Sequence, residues 1–199
     1  EISGMAHGVN FPAFCPPADI TEVLYSEEDI RKRVRELGEE ISRYYTPILN
    51  GKPLIVIGIL RGAAIFMSDL VRQMSVDVEL DFMRFSSYEG ASTKTSGNVR
   101  LLLDVSDDIA GKHVLVVEDI LDTGNTFVAL LEMLRCRNPA SVETAVLFWK
   151  KTQTVRDVGT RFCGWEIPNK FIVGYGLDYN ERYRSLPFVG VLSPSVYAS

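Results

Sequence analysis

Residues 114–126 read VLVVEDILDTGNT. Three carboxylates, Glu118, Asp119 and Asp122, follow the apolar run Val114–Val117, and a small-residue loop then opens a second apolar stretch. In a parallel sheet, ligands bind outside the carboxyl ends of the strands, which is where these acids fall. The loop leads into a helical pattern, and the first N–H groups of a helix lack internal partners. Small residues at 123–126 let an anion approach those donors, with the helix dipole favouring its charge. Thr123 and Thr126 add hydroxyl donors. Glu118 and Asp119 can accept sugar hydroxyls or hold Mg²⁺, often through water. Asp122 stands nearest the loop and can exchange a proton with a bound base. The plain alternative is that Asp122 caps the helix and that Glu118 and Asp119 are a solvated strand end. Neither G-x-G-x-x-G nor G-x-x-x-x-G-K-[ST] occurs, so the dinucleotide and P-loop routes to phosphate are not used.

The elements that must position these groups are legible from periodicity. Ile30, Val34, Leu37, Ile41 and Tyr45 recur at steps of three or four, a helical stripe. Ser26 with Asp29 forms a capping-box pattern at its start, and the acids at 27–29 suit the positive end of the dipole. Residues 53–60, PLIVIGIL, form a short continuous apolar run. Residues 65–74 read as helix and 78–85 as strand. Residues 87–98 form a polar Ser/Thr/Gly loop. Strands are expected over 99–105, 112–119, 141–150 and 170–178. Residues 126–138 read as a helix burying Phe127, Leu130, Leu131 and Leu134. Continuous apolar strands alternating with helices predict an α/β fold. The expected form is a mostly parallel twisted sheet of about five strands, flanked by helices on both faces. A small hood would come from the N- and C-terminal segments.

The chain has 199 residues, a net charge of −5 and a hydrophobic fraction of 46%. That length suits a single domain spanning 1–199, with 1–20, holding Pro12, Pro16 and Pro17, as an irregular arm. The acidic balance argues against a general nucleic-acid partner. No apolar run reaches the length of a membrane helix, so no membrane partner is expected. Cys15, Cys136 and Cys163 are odd in number and widely spaced, which points to free, buried thiols in a reducing, cytoplasmic compartment. His7 and His113 have no partners at metal-ligand spacing, and Trp149 and Trp165 are expected to be packing residues.

VVEDILDTGNT resembles the phosphoribosyl-pyrophosphate (PRPP) motif of type I phosphoribosyltransferases. ILRGAAIF (59–66), DFMRFSSYEG (81–90) and FIVGYGLDYNERYRSLP (171–187) are similar to the corresponding parts of hypoxanthine-guanine phosphoribosyltransferases. The likeness spans roughly 22–194 in the right order. It implies purine salvage, in which a 6-oxopurine displaces pyrophosphate from PRPP to give a nucleoside monophosphate. On that resemblance Asp122 is the catalytic acid/base at the purine N7, and Asp122, Thr123, Gly124, Asn125 and Thr126 hold the 5′-phosphate. Glu118 and Asp119 meet the ribose or Mg²⁺, with Asp178 a further metal-associated acid beside the purine. Lys150 reads the exocyclic O6, Phe171 stacks on the base and the Ile172 backbone meets its edge. Leu60, Arg61, Gly62 and Arg184 bind pyrophosphate, with a cis peptide common in that turn. Ser87 and Tyr88 begin a closing loop. The family also implies a homodimer or homotetramer, in keeping with the general preference for closed symmetry.

Taken singly, several of these residues have ordinary readings. Lys150 could be a solvated strand-end lysine, Arg184 a surface charge, Asp178 a strand terminator and Phe171 a core residue. Asn125 stands where some relatives carry Lys, and RGAA lacks the second Gly or Ser of many relatives. A catalytically weak regulatory homologue that binds nucleotide or RNA, or a same-fold transferase preferring xanthine or adenine, would share the fold.

Overall fold

A computed structural model describes residues 17–87, 99–154 and 159–197. Nine strands and four helices occur among them, in the order β1 (Ile20–Tyr25), α1 (Glu27–Tyr45), β2 (Leu54–Leu60), α2 (Ala63–Val71), β3 (Val78–Ser87), β4 (Val99–Leu103), β5 (His113–Leu121), α3 (Asn125–Arg135), β6 (Ser141–Trp149), β7 (Phe162–Glu166), β8 (Ile172–Val173), β9 (Val189–Leu192) and α4 (Pro194–Tyr197). The main sheet has six strands in the order β4-β3-β2-β5-β6-β7. All of its pairings are parallel except β3 with β4. A separate antiparallel sheet, β1-β9-β8, joins the two ends of the chain.

The central strands are apolar throughout because both of their faces are covered. Along β2, Leu54 and Val56 pack with α1 and α2, while Ile55, Ile57 and Ile59 pack with α3. β5 repeats the alternation, with Leu115 and Val117 on the first side and Val114 and Val116 on the second. The stripe of α1 is buried as its spacing requires, and the capping box forms. The Asp29 N–H donates to Ser26 Oγ at 3.1 Å, and the Ser26 N–H donates to Asp29 Oδ2 at 3.0 Å. Leu37 is fully buried in that stripe. Leu37→Ala is expected to cost about 3 kcal/mol of stability by leaving a cavity, measurable by urea unfolding, while kcat of the folded fraction stays unchanged.

Two expectations need correcting. The segment 170–178 was expected to be one strand, yet only Ile172–Val173 is extended. Gly174, Tyr175 and Gly176 all take positive φ, at 104°, 49° and 101°, which no strand can accommodate. The thiols were expected to be buried, but Cys136 is exposed where α3 ends. Cys163 is half-buried on β7, and burial pushes its thiol up to about 11, so it is a poor nucleophile at neutral pH. Cys15 and residues 1–16 of the arm lie outside the described residues, and Ile20 already belongs to β1.

Strand register places the site. β5 and β6 pair Leu121 with Trp149, so the next residues, Asp122 and Lys150, emerge side by side. β2 and β5 pair Gly58 with Val117. Continuing that register brings the turn after β2 beside Asp119.

Candidate active site

The phosphate-type loop starts where β5 leaves the core. Val114–Val117 are fully buried, Asp119 is 7% exposed, and Asp122 and Thr123 face solvent. Gly124 makes the turn in the left-handed region, at φ 80°, and α3 begins at Asn125 with Thr126 in its first turn. The N-cap is Gly124, which offers no side-chain cap hydrogen bond to the first N–H groups that a helix leaves without internal partners. Asp122 is therefore not the cap. Its carboxylate Oδ2 accepts from Lys150 Nζ at 2.9 Å, and Lys150 is itself only 8% exposed.

Lys150 and Asp122 share a cavity of about 220 Å³ with Phe171, Ile172, Leu177 and Asp178. Phe171 stacks on Tyr197 with ring centroids 4.9 Å apart and meets Tyr179 edge-on at 5.6 Å. An aromatic face, an ammonium and a carboxylate thus border one volume suited to a flat polar heterocycle. A second cavity, bordered by Glu118, Thr123 and Gly124, adjoins it, and Asp122 lines both.

Adjacent Glu118 and Asp119 are electrostatically strained. Burial, with Asp119 alongside, pushes Glu118 well above the usual carboxylate range. Burial also raises Asp119, while Ile120 N–H, donating to Asp119 Oδ1 at 2.8 Å, and the charge of Arg184 act the other way. Two adjacent acids raised by their own burial form a site short of positive charge. Their hard oxygen donors fit Mg²⁺ that takes its other ligands from substrate and water. No cluster of three metal-ligating side chains occurs among the described residues.

The turn after β2 lies against Asp119. The Leu60–Arg61 peptide is cis. A Cβ at Gly62 would fall 1.7 Å from Asp119 Oδ2, so any larger residue there requires the Asp119 carboxylate to move. Arg61 Nη1 donates to Glu181 Oε2 at 2.6 Å. Arg184 donates through Nη1 to the Gly176 carbonyl at 2.7 Å, and its Nη2 pairs with Asp178 Oδ1 at 2.8 Å. Arg184 Nη2 also reaches Glu181 Oε2 at 3.4 Å. Arg61 and Arg184 thus meet at Glu181, and Arg184 also lies near enough to buried Asp119 for its charge to act there, an arrangement that sets cationic groups beside an acidic one.

The family model of the phosphoribosyl transferase domain matches residues 21–180. The chain belongs to the phosphoribosyltransferase family. Curated hypoxanthine-guanine phosphoribosyltransferases are its relatives. That of Bacillus subtilis strain 168 is 45% identical over 181 residues, covering 91% of this chain and 98% of the relative. That of Staphylococcus aureus strain Mu50 is 42% identical over the same shares. Among solved structures, a hypoxanthine phosphoribosyltransferase from Staphylococcus aureus superposes with a TM-score of 0.84 at 42% identity, covering 91% of this chain and 96% of that one. A ternary substrates complex of a hypoxanthine phosphoribosyltransferase variant from Trypanosoma cruzi superposes with a TM-score of 0.84 at 40% identity, covering 90% and 98%.

In this phosphoribosyltransferase, the residues singled out from sequence gather at the carboxyl ends of β2, β5 and β6 and in the segment after β7. Ser87 ends β3, opposite Val99, three residues past the Arg84 that pairs with Leu60 at the carboxyl end of β2. Tyr88 lies outside the described residues. Three participants were not foreseen. Glu181 bridges Arg61 and Arg184, and Tyr197 of α4 stacks on Phe171. Thr154 bonds to the Asp122 main chain. Trp149, expected only to pack, donates its indole N–H to Thr154 Oγ1 at 2.8 Å. Trp165 does pack, stacked on Tyr25 at 4.3 Å and on Phe148 at 5.4 Å. No helix among the described residues is long and apolar enough to cross a membrane.

Proposed function

We propose that this chain transfers the 5-phosphoribosyl group of PRPP to hypoxanthine or guanine, giving IMP or GMP and pyrophosphate. The observation that carries the reading is the Lys150–Asp122 pair, 2.9 Å apart beside Phe171. A 6-oxopurine presents O6, an acceptor, and N7–H, a donor, along one edge. Lys150 donates to the first and Asp122 accepts from the second, so the base takes the place each group now gives the other. A 6-amino group would set donor against donor, which excludes adenine.

In the reaction, N9 of the base bonds to the anomeric carbon as the bond to pyrophosphate breaks. Asp122 takes the N7 proton in the same process. Residues Asp122, Thr123, Gly124, Asn125 and Thr126 hold the 5′-phosphate at the start of α3. Phe171 stacks on the base, and the Ile172 backbone meets its edge. Leu60, Arg61, Gly62 and Arg184 receive pyrophosphate, so both arginines exchange their present carboxylate partners for phosphate oxygens. Glu118 and Asp119, with Asp178 nearby, orient the ribose hydroxyls. Mg²⁺ held there would supply the charge that offsets the departing pyrophosphate.

The same reading takes 1–199 as one domain, with the β1-β9-β8 sheet as its hood, a cytoplasmic location, and a homodimer or homotetramer. Leu102 and Leu103 on the edge strand β4 are each 45% exposed, which supports association. The test supplies PRPP and Mg²⁺ with hypoxanthine, guanine, xanthine and adenine in turn. Turnover of hypoxanthine and guanine with none of adenine is expected. No turnover with any base, despite GMP binding, would overturn the reading in favour of a regulatory homologue.

A further inference from the structure

The segment after β6 reaches back to the phosphate-type loop. Trp149 ends β6, and its indole N–H donates to Thr154 Oγ1 at 2.8 Å. That hydroxyl lies 2.9 Å from the Asp122 carbonyl and 3.2 Å from the Lys150 carbonyl. A hydroxyl has one proton and two lone pairs. The indole occupies a lone pair, and the shorter distance gives the proton to Asp122. The Lys150 N–H meanwhile donates to the Leu121 carbonyl at 2.9 Å. The two segments are therefore tied at consecutive carbonyls, those of Leu121 and Asp122.

The consequence lies in the peptide that joins Asp122 to Thr123. A trans peptide is planar, so its C=O and N–H point in opposite directions. With the carbonyl pinned towards Thr154, the Thr123 N–H must face the other way, away from the segment after β6. The cavity on the Glu118 and Gly124 side is bordered by Thr123 and not by Thr154. The Lys150–Asp122 ion pair cannot hold this peptide through a turnover, because a bound base takes both side chains. The Thr154 bond engages only the main chain and survives that exchange.

We propose that Thr154, itself oriented by Trp149, is a positioning residue that sets the Asp122–Thr123 peptide and presents the Thr123 N–H to the 5′-phosphate. This rests on the reading of 122–126 as the phosphate loop.

Thr154→Val keeps the shape of the side chain and removes both hydrogen-bonding roles, whereas Thr154→Ser keeps both. The readout is the affinity of the full chain for GMP beside that for guanosine, which lacks the phosphate. If the wild-type chain bound the two equally, the phosphate-loop reading itself would fall, and this proposal with it. With that difference present, Thr154→Val is expected to weaken GMP about tenfold, the worth of one hydrogen bond to a charged group. Guanosine affinity should stay unchanged, and Thr154→Ser should restore GMP binding. Equal losses for both ligands, or no loss for GMP, would overturn the positioning role. Should Thr154→Val fail to fold, Trp149→Phe serves instead. It leaves the hydroxyl without its orienting donor, and the same selective but smaller loss for GMP is expected. Its absence would overturn the proposal equally.

Discussion

Asp122→Asn is expected to lower kcat by about 10²–10³-fold, within the range for removing a general acid/base, while GMP still binds. The substitution is nearly isosteric, and the amide oxygen can still accept from Lys150 Nζ, now 2.9 Å from the carboxylate. What disappears is the ability to take the N7 proton. A positional role would behave differently, because the shape and the acceptor both remain. The competing effect is stability. Lys150 is 8% exposed and would lose its ionised partner. The Asp122 side chain is 49% exposed, however, so water already screens the pair and the loss should be no more than about 1 kcal/mol. Steady-state kinetics with hypoxanthine, paired with GMP titration and thermal unfolding, separates these effects. A large fall in kcat at nearly constant GMP affinity supports proton transfer by Asp122. Losses of kcat and GMP affinity by the same factor would assign Asp122 to holding the loop. An unchanged kcat would refute the acid/base assignment.

How much of this was legible in the sequence depended on the range of the interaction. β5 and the loop after it could be read because the signal is local, with an apolar run, acids, small residues and then an amphipathic helix in unbroken order. The α1 stripe and its capping box are local in the same way. β1 and β9 were not read as strands. Val23 on β1 is 44% exposed, so no buried face announces itself, and the partner strand lies at the opposite end of the chain. The broken strand at 170–178 turns on backbone φ values at Gly174–Gly176, to which the apolar residues around them give no clue. The candidate site divides along the same line. Glu118, Asp119 and Asp122 share one motif. Lys150, Asp178 and Arg184 were singled out only through resemblance, since each alone has an ordinary surface reading. Glu181, Thr154 and Tyr197 were missed because their roles arise from contacts between segments that periodicity does not relate. Glu181 meets Arg61 across 120 residues, and Thr154 meets the Asp122 carbonyl across 32.

Gly62→Ala is expected to reduce kcat/KM for PRPP about 10²-fold, the scale of loss for displacing a reacting group by about 1 Å. The backbone is not the obstacle, since Gly62 lies at φ −62° and ψ −44°, where alanine is at ease. The obstacle is space. The added methyl would sit 1.7 Å from Asp119 Oδ2 and 2.6 Å from its Cγ. Retreat of the turn is blocked on its other side, where Gly176 packs so closely that a Cβ there would be 2.2 Å from the Gly62 carbonyl. Asp119 must therefore give way, although it is 7% exposed and held by the Ile120 N–H. Overpacking of this kind should also cost about 1–3 kcal/mol of stability. No compensating helix gain is expected, because Gly62 is the N-cap of α2, a position where glycine is preferred to alanine. Kinetics with varied PRPP and Mg²⁺ measure the loss, and a value within threefold of wild type would show that the position of Asp119 does not matter. Double-mutant analysis identifies the route of the damage. If the loss passes through Asp119, Gly62→Ala should do little further harm in an Asp119→Ala background, which removes the three atoms nearest the methyl. If the two losses multiply, the turn acts on pyrophosphate independently of Asp119.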